Sequence, residues 1–127
     1  MNVIIVEPDK RLASNYALAL TGHGHDVRTA TSAQQAIHLT DEQVPDVILL
    51  ELHLKKHNGV EFLYELRSYA DWQDIPVIVL SFVQPEKFIS DESFLQQLGV
   101  KEFLYKPGVS LQQVTAALSR VVRPLSI

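Results

Sequence analysis

Three stretches of the chain are apolar without a break: Val3 to Val6, Val47 to Leu50, and Val77 to Leu80. Runs this short, bounded by turn residues, predict strands. The lack of polar alternation means that both faces are buried, as in a parallel sheet covered by helices. The segments between them carry helical spacing. Leu12, Tyr16 and Leu20 fall at i, i+4 and i+8, with Ala13 and Ala17 beside them. Glu7-Pro8-Asp9 ends the first strand, because proline cannot donate to a sheet ladder, and Asp9 is placed to cap the helix. Gly22 and Gly24 close it.

A short second strand is predicted over Asp26 to Thr31, and Ser32 is placed to cap a helix bearing Ala33, Ala36, Ile37 and Leu39. Pro45-Asp46 breaks that helix. Asn58-Gly59 is a turn signal before a third helix with Val60, Leu63, Tyr64 and Leu66, running to about Tyr69. Residues 82–98 read as helical in their second half, through Phe94, Leu95 and Leu98, with Gly99 as the stop. Glu102 to Tyr105 is a last short strand ending on Lys106-Pro107. Ser110 caps a final helix with Val114, Ala117, Leu118, Val121 and Val122 at helical spacing. The pattern is five strands alternating with five helices, hence an α/β domain with a parallel sheet over residues 1–122 and a short tail over 123–127.

Composition narrows the function classes. A chain of 127 residues is one domain with room for a real core. With no cysteine, a disulfide scaffold and a thiolate metal site are excluded. Hydrophobic content of 46% and charged content of 20% are ordinary for a globular domain. No apolar run reaches membrane-spanning length and the first residues lack a signal-peptide layout, so a soluble, cytoplasmic domain with no membrane partner is expected. A net charge of -4, with no basic run beyond Lys55-Lys56, argues against direct nucleic-acid binding.

In open parallel sheets, sites form at the carboxyl ends of the strands. Glu7, Glu51, Ser81 and Lys106 stand at four of those ends. Any strand must stop on something polar, so one such residue carries little. Two acids, a hydroxyl and a lysine together predict a site.

These ends also carry a resemblance. VIIVEPD, PDVILLELHLKKHNG, PVIVLS and EFLYKP, in that order, resemble the strand-end motifs of the receiver domain of bacterial two-component response regulators, the CheY-like superfamily. The resemblance covers residue 3 to about 122. It implies a flavodoxin-like, doubly wound five-stranded sheet in the order 2-1-3-4-5 with five helices. It also implies the family's chemistry: an acceptor carboxylate after the third strand, a Mg²⁺ held by that acid and an acidic pair after the first strand, and a hydroxyl and a lysine for phosphoryl oxygens. Residue by residue, the acceptor position is Glu51, the acidic-cluster positions are Glu7, Pro8 and Asp9, and the phosphoryl-binding positions are Ser81 and Lys106. Phe103 takes the switch-aromatic position. The resemblance further implies a cis bond between Lys106 and Pro107.

Two departures matter. The acceptor is a glutamate where the family has aspartate, and Pro8 replaces a direct metal ligand. Lys55 and Asn58 are lesser departures in the loop, and the stretch from Ser81 to Lys106 is about three residues longer than the family's usual. The extra methylene pushes the Glu51 carboxylate roughly 1.5 Å further out, within reach of Lys106 and Ser81. A phosphorylation-independent pseudo-receiver is therefore expected: not an enzyme, with no cofactor, working through protein partners such as a histidine kinase or an output domain. The rival is a competent receiver that takes phosphoryl from a histidine kinase, with Mg²⁺ on Glu7, Asp9 and Glu51. A third alternative is a sheet-end pocket for a small anion with Lys106 and Ser81 as donors, though no Gly-rich phosphate loop supports it.

Other candidates have bland readings. His23, His25 and Asp26 fit a solvated loop far from the strand ends. His53, Lys55, Lys56 and His57 fit a solvated loop, or a positive rim to Glu51. Asp9 fits a helix cap better than a metal ligand, and Trp72 fits packing. Phe82, Val83, Phe88, Ile89, Phe94 and Leu95, with Phe103 and Tyr105, make an apolar set divided between core and a face for a partner or a homodimer.

Overall fold

The structure, a computed structural model, describes residues 1–56, 58–83 and 96–121. Five strands form one sheet: β1 (Asn2–Val6), β2 (Asp26–Ala30), β3 (Val47–Leu50), β4 (Val77–Ser81) and β5 (Val100–Tyr105). Their order is β2-β1-β3-β4-β5, and every pairing is parallel. The described helices are α1 (Lys10–Gly22), α2 (Ala33–Glu42), α3 (Gly59–Ser68) and α4 (Leu111–Val121). This is the doubly wound α/β fold expected from the apolar runs. Of the helix expected through Phe94, Leu95 and Leu98, the part up to residue 95 lies outside the described residues, as do Phe88, Ile89, His57 and the tail; residues 96–97 are helical and Gly99 follows as the stop.

Alternation along the strands sorts the core into two layers. Ile4, Val6, Ile48, Leu50, Val77 and Val79 face α2 and α3, where Phe62, Leu63, Leu66 and Trp72 complete the packing. Val3, Ile5, Val47, Leu49, Ile78 and Leu80 face the other way, onto Leu20 of α1 and Val114, Ala117 and Leu118 of α4. These strand residues are fully or almost fully buried, which is why no polar residue interrupts them.

Local chemistry sets the helix starts. The Asp9 carboxylate accepts from the N–H groups of Arg11 (2.9 Å) and Leu12 (3.2 Å). Ser32 Oγ accepts from Gln35 N–H, Asn58 from Glu61 N–H, and Ser110 Oγ from Gln113 N–H. Gly24, at φ 89°, takes the left-handed conformation just past α1. Two strand limits differ from the sequence pattern. β2 stops at Ala30, one residue early, because Thr31 N–H turns to the Gln35 side chain at 2.8 Å. β5 starts two residues early, at Val100, where pairing with Val77 is followed by a register shift before Glu102 pairs Ile78.

Gly59 couples α3 to the end of β3. Its N–H donates to Leu52 O at 2.7 Å, and a Cβ there would stand 2.7 Å from Leu52 Cα. Backbone cannot step aside cheaply. Gly59→Ala is expected to destabilise the protein by about 1–3 kcal/mol through overpacking, measured by urea unfolding at constant m-value.

Candidate functional site

Parallel register delivers four polar residues to one end of the sheet. Val6 pairs Leu50, so Glu7 and Glu51 leave adjacent strands side by side. Glu7 N–H closes on Ala30 O at 2.9 Å and Glu51 N–H on Val6 O at 3.0 Å, continuing the ladder one residue past the apolar runs. Ser81 ends β4 opposite Tyr105, which places Lys106 just beyond β5. Lysine's four-carbon stem spans the width of β4 to meet both acids. The site lies where the strand order reverses, between β1 and β3, the usual ligand position in such sheets.

All four side chains are buried: Glu7 and Glu51 are 4% exposed, Ser81 0% and Lys106 9%. Lys106 Nζ donates to Glu51 Oε1 at 2.7 Å and closely to Glu7 Oε1. Glu51 Oε1 also faces Phe82 N–H at 3.3 Å. Its Oε2 accepts from His53 N–H at 2.9 Å and, closely, from the Ser81 hydroxyl. Glu7 Oε2 accepts from Asp9 N–H at 3.0 Å, and Ser81 Oγ accepts from Val83 N–H at 3.0 Å. The exposed Phe82 ring lies with its centroid 4.6 Å from Lys106 Nζ, within cation–π range.

The two ionic partners shift each other. Burial alone pushes the Glu51 carboxyl up. Hydrogen bonds from His53, Lys106 and Ser81, with the lysine charge, outweigh it and hold the carboxyl below its usual range. Burial pulls the Lys106 ammonium down, but Glu51 and Glu7 more than restore it and raise it above its usual value. Both groups therefore keep their charge at neutral pH.

A cleft of about 570 Å³ opens above this cluster, lined by Pro8, Asp9, His53, Lys55 and Phe82 among others. Pro8 turns a side chain with no donor atom into it, and Oδ1 of the Asp9 carboxylate caps α1. Phe103 packs partly buried against the α3-side core. The Lys106–Pro107 bond is trans, against the cis bond implied by the resemblance. The proline sits in a 3₁₀ turn, Lys106–Gly108, closed by Val109 N–H on Lys106 O at 3.1 Å. Its fixed φ suits a turn start without isomerisation, and Lys106 still enters the site.

The remaining candidates fall elsewhere. His23 reaches Ala19 O at 2.9 Å and His25 the N-terminal amine at 3.3 Å. Among the described residues no three His, Cys, Asp or Glu side chains are grouped to hold a metal. Trp72 is 7% exposed and packs on Tyr69 at 4.5 Å between ring centroids. Two features escaped sequence reasoning. Glu7 is the second anchor of Lys106, a role its strand-end position could have signalled. Phe82 roofs the lysine, which only its place next to Ser81 hinted at.

Comparison with known proteins agrees with this architecture. The family model for the response regulator receiver domain matches residues 3–119. The chain is 35% identical over 106 residues to the KDP operon transcriptional regulatory protein KdpE of Escherichia coli (strain K12), covering 84% of this chain and 44% of that protein. The chain thus spans less than half the length of that relative. Among solved structures, a sensor protein from Polaromonas sp. JS666 superposes with a TM-score of 0.85 at 26% identity, covering 94% of both chains. Vibrio cholerae chemotaxis protein CheY4 superposes with a TM-score of 0.82 at 22% identity, over 94% of this chain and 96% of that one, a likeness of fold.

Proposed function

The chain belongs to the response regulator receiver domain family of two-component signalling, and from that premise we propose that it signals through protein partners without a phosphorylation cycle. The observation that carries this reading is the Glu51 carboxylate. It already holds Lys106 and Ser81, the two groups that the resemblance assigns to phosphoryl oxygens. Four donors converge on its two oxygens, leaving no lone pair unengaged for attack on phosphorus. Glu51 thus stands in for a loaded acceptor, and the site is fixed in one state.

The donor set does not suit the Mg²⁺ associated with the family. Magnesium needs near-octahedral oxygen ligands. The Pro8 side chain supplies none, one Asp9 oxygen caps α1, and the Glu7 and Glu51 oxygens are taken up by Lys106, the Ser81 hydroxyl and backbone N–H groups. The ammonium bridges the two acids as a resident cation. Phe82, lying over Lys106, narrows the way in.

Partners would read a preset surface. KdpE is a transcriptional regulatory protein, so an output domain or a kinase is the expected class. Phe82, Tyr105 and Leu111 are exposed apolar residues at the end of β4, the end of β5 and the start of α4, available to such a contact or to a second copy.

The test is incubation with acetyl phosphate and Mg²⁺ followed by intact-mass measurement. The unmodified protein is expected to gain no phosphoryl group. Gain of one, stable or turning over, would overturn this reading in favour of a competent receiver fed by a histidine kinase. Glu51→Asp is expected to stay unphosphorylated as well, because Pro8 still withholds a ligand.

A further inference from the structure

A second cavity, about 390 Å³, lies beside the acid cluster and is lined by Lys10, Lys55 and Lys56 together with Thr31 and Ser32. Pro8, Leu54 and Lys55 border both cavities, so they form the shared wall. Half of the six lysines in the chain meet here. Among the described residues no acid lines the cavity, although the chain carries 15 acids against 11 lysines and arginines. None of the three lysines holds an ion pair among the described residues. By contrast, Arg28 and Arg67 are spent on backbone carbonyls, Arg120 on Glu102, and Lys106 on the two buried acids.

We propose that this cavity is a binding site for a small phosphorylated ligand, held by Lys10, Lys55 and Lys56. Three ammonium groups around one concavity repel each other when it is empty, and a compact multivalent oxyanion relieves that repulsion. Phosphoryl oxygens are strong acceptors for ammonium and hydroxyl donors. The Ser32 hydroxyl, whose oxygen caps α2 while its proton stays uncommitted, supplies the latter at the wall. α2 begins at Ala33, on the same wall, and adds the positive end of its dipole. The site is separate from Glu51, whose two oxygens accept only from groups of the acid cluster and its neighbouring backbone, so it stands whether or not that cluster accepts phosphoryl. Its shared wall gives a ligand a route to the loop that carries His53.

Isothermal titration of the full chain with pyrophosphate and with orthophosphate, at physiological salt, tests the proposal. Saturable one-to-one binding of pyrophosphate is expected, weakening as salt rises. Orthophosphate binding alike means that one phosphoryl group suffices; weaker orthophosphate binding means that two are gripped. The double variant Lys55→Ala/Lys56→Ala, and Lys10→Ala separately, should each weaken binding roughly tenfold or more, the scale of a lost charge-assisted hydrogen bond. These side chains are exposed, so circular dichroism should be unchanged. Lys101→Ala, on the exposed edge of β5, is the control and should bind as the unmodified protein does. Lack of saturation at millimolar pyrophosphate would overturn the site. Equal loss in Lys101→Ala, or citrate binding as tightly as pyrophosphate, would reduce it to unselective attraction and overturn it too.

Discussion

Lys106→Met is expected to destabilise the protein by about 3–5 kcal/mol at neutral pH, the cost of leaving buried charge without its partner. Methionine keeps the length and apolar stem of lysine, so packing is nearly conserved. What disappears is the ammonium that Glu7 and Glu51 share. Two carboxylates would then face each other with only N–H and hydroxyl donors. The pH dependence separates this cause from simple misfolding. In the unmodified protein, the Glu51 pKa lies below its unfolded value of 4.5. Its stabilisation is therefore full above that pH and is lost as the pH falls through the folded pKa. The Lys106 pKa lies above 10.5, so its contribution is full below that pH and is lost as the pH rises through the folded pKa. Between these limits the cluster's contribution is flat. In the variant, the lysine no longer holds the Glu51 carboxyl down and burial pushes it up. Its penalty is relieved as the pH falls, so the deficit should shrink between pH 7 and pH 4 in urea unfolding. A deficit that stays constant across that range would mean that lost packing, not unpaired charge, is responsible.

Glu51→Gln should change sign with its background. In the unmodified protein an amide offers one oxygen where the carboxylate offers two. Its NH₂ must point at either Lys106 and Phe82 N–H, or His53 N–H and Ser81. At least one buried donor is left unpaired, a cost of about 1–3 kcal/mol, and the charge pair goes with it. In the Lys106→Met background the same change removes one of the two uncompensated buried acids. It should then cost little or stabilise. A double-mutant cycle is expected to show coupling of about 1–3 kcal/mol; additivity would mean that Glu51 and Lys106 do not act as a pair. If Glu51 sets the signalling state, the same substitution should also alter partner affinity by more than its effect on stability explains.

The architecture was legible because its signals are local. Uninterrupted apolar runs at Val3, Val47 and Val77 mark strands buried on both faces, and Asp9, Ser32 and Ser110 mark helix starts by side-chain chemistry that needs only neighbouring residues. β5 was harder. Its first residues, Val100 and Lys101, join the sheet through pairing with β4 and a register shift, which depend on a distant strand. The Lys106–Pro107 bond followed the turn that the chain makes here rather than the habit of the family.

By itself the sequence determined that an acid, an acid, a hydroxyl and a lysine end four strands, because strand ends follow from where apolar runs stop. It also determined that Glu51 is one methylene longer than the aspartate that the resemblance implies at its position and that the Pro8 side chain carries no ligand atom. Only the tertiary structure decided who pairs with whom. Parallel register sets Glu7 beside Glu51, so one ammonium serves two carboxylates, and the chain's return after β4 lays Phe82 over Lys106. The lysine cavity is likewise a product of folding. Lys10 is separated from Lys55 and Lys56 by two strands and two helices, and they meet because β1 and β3 are neighbours in the sheet. Side-chain type is written in the chain, but the distance between charges, and with it their energy, exists only once the sheet has closed.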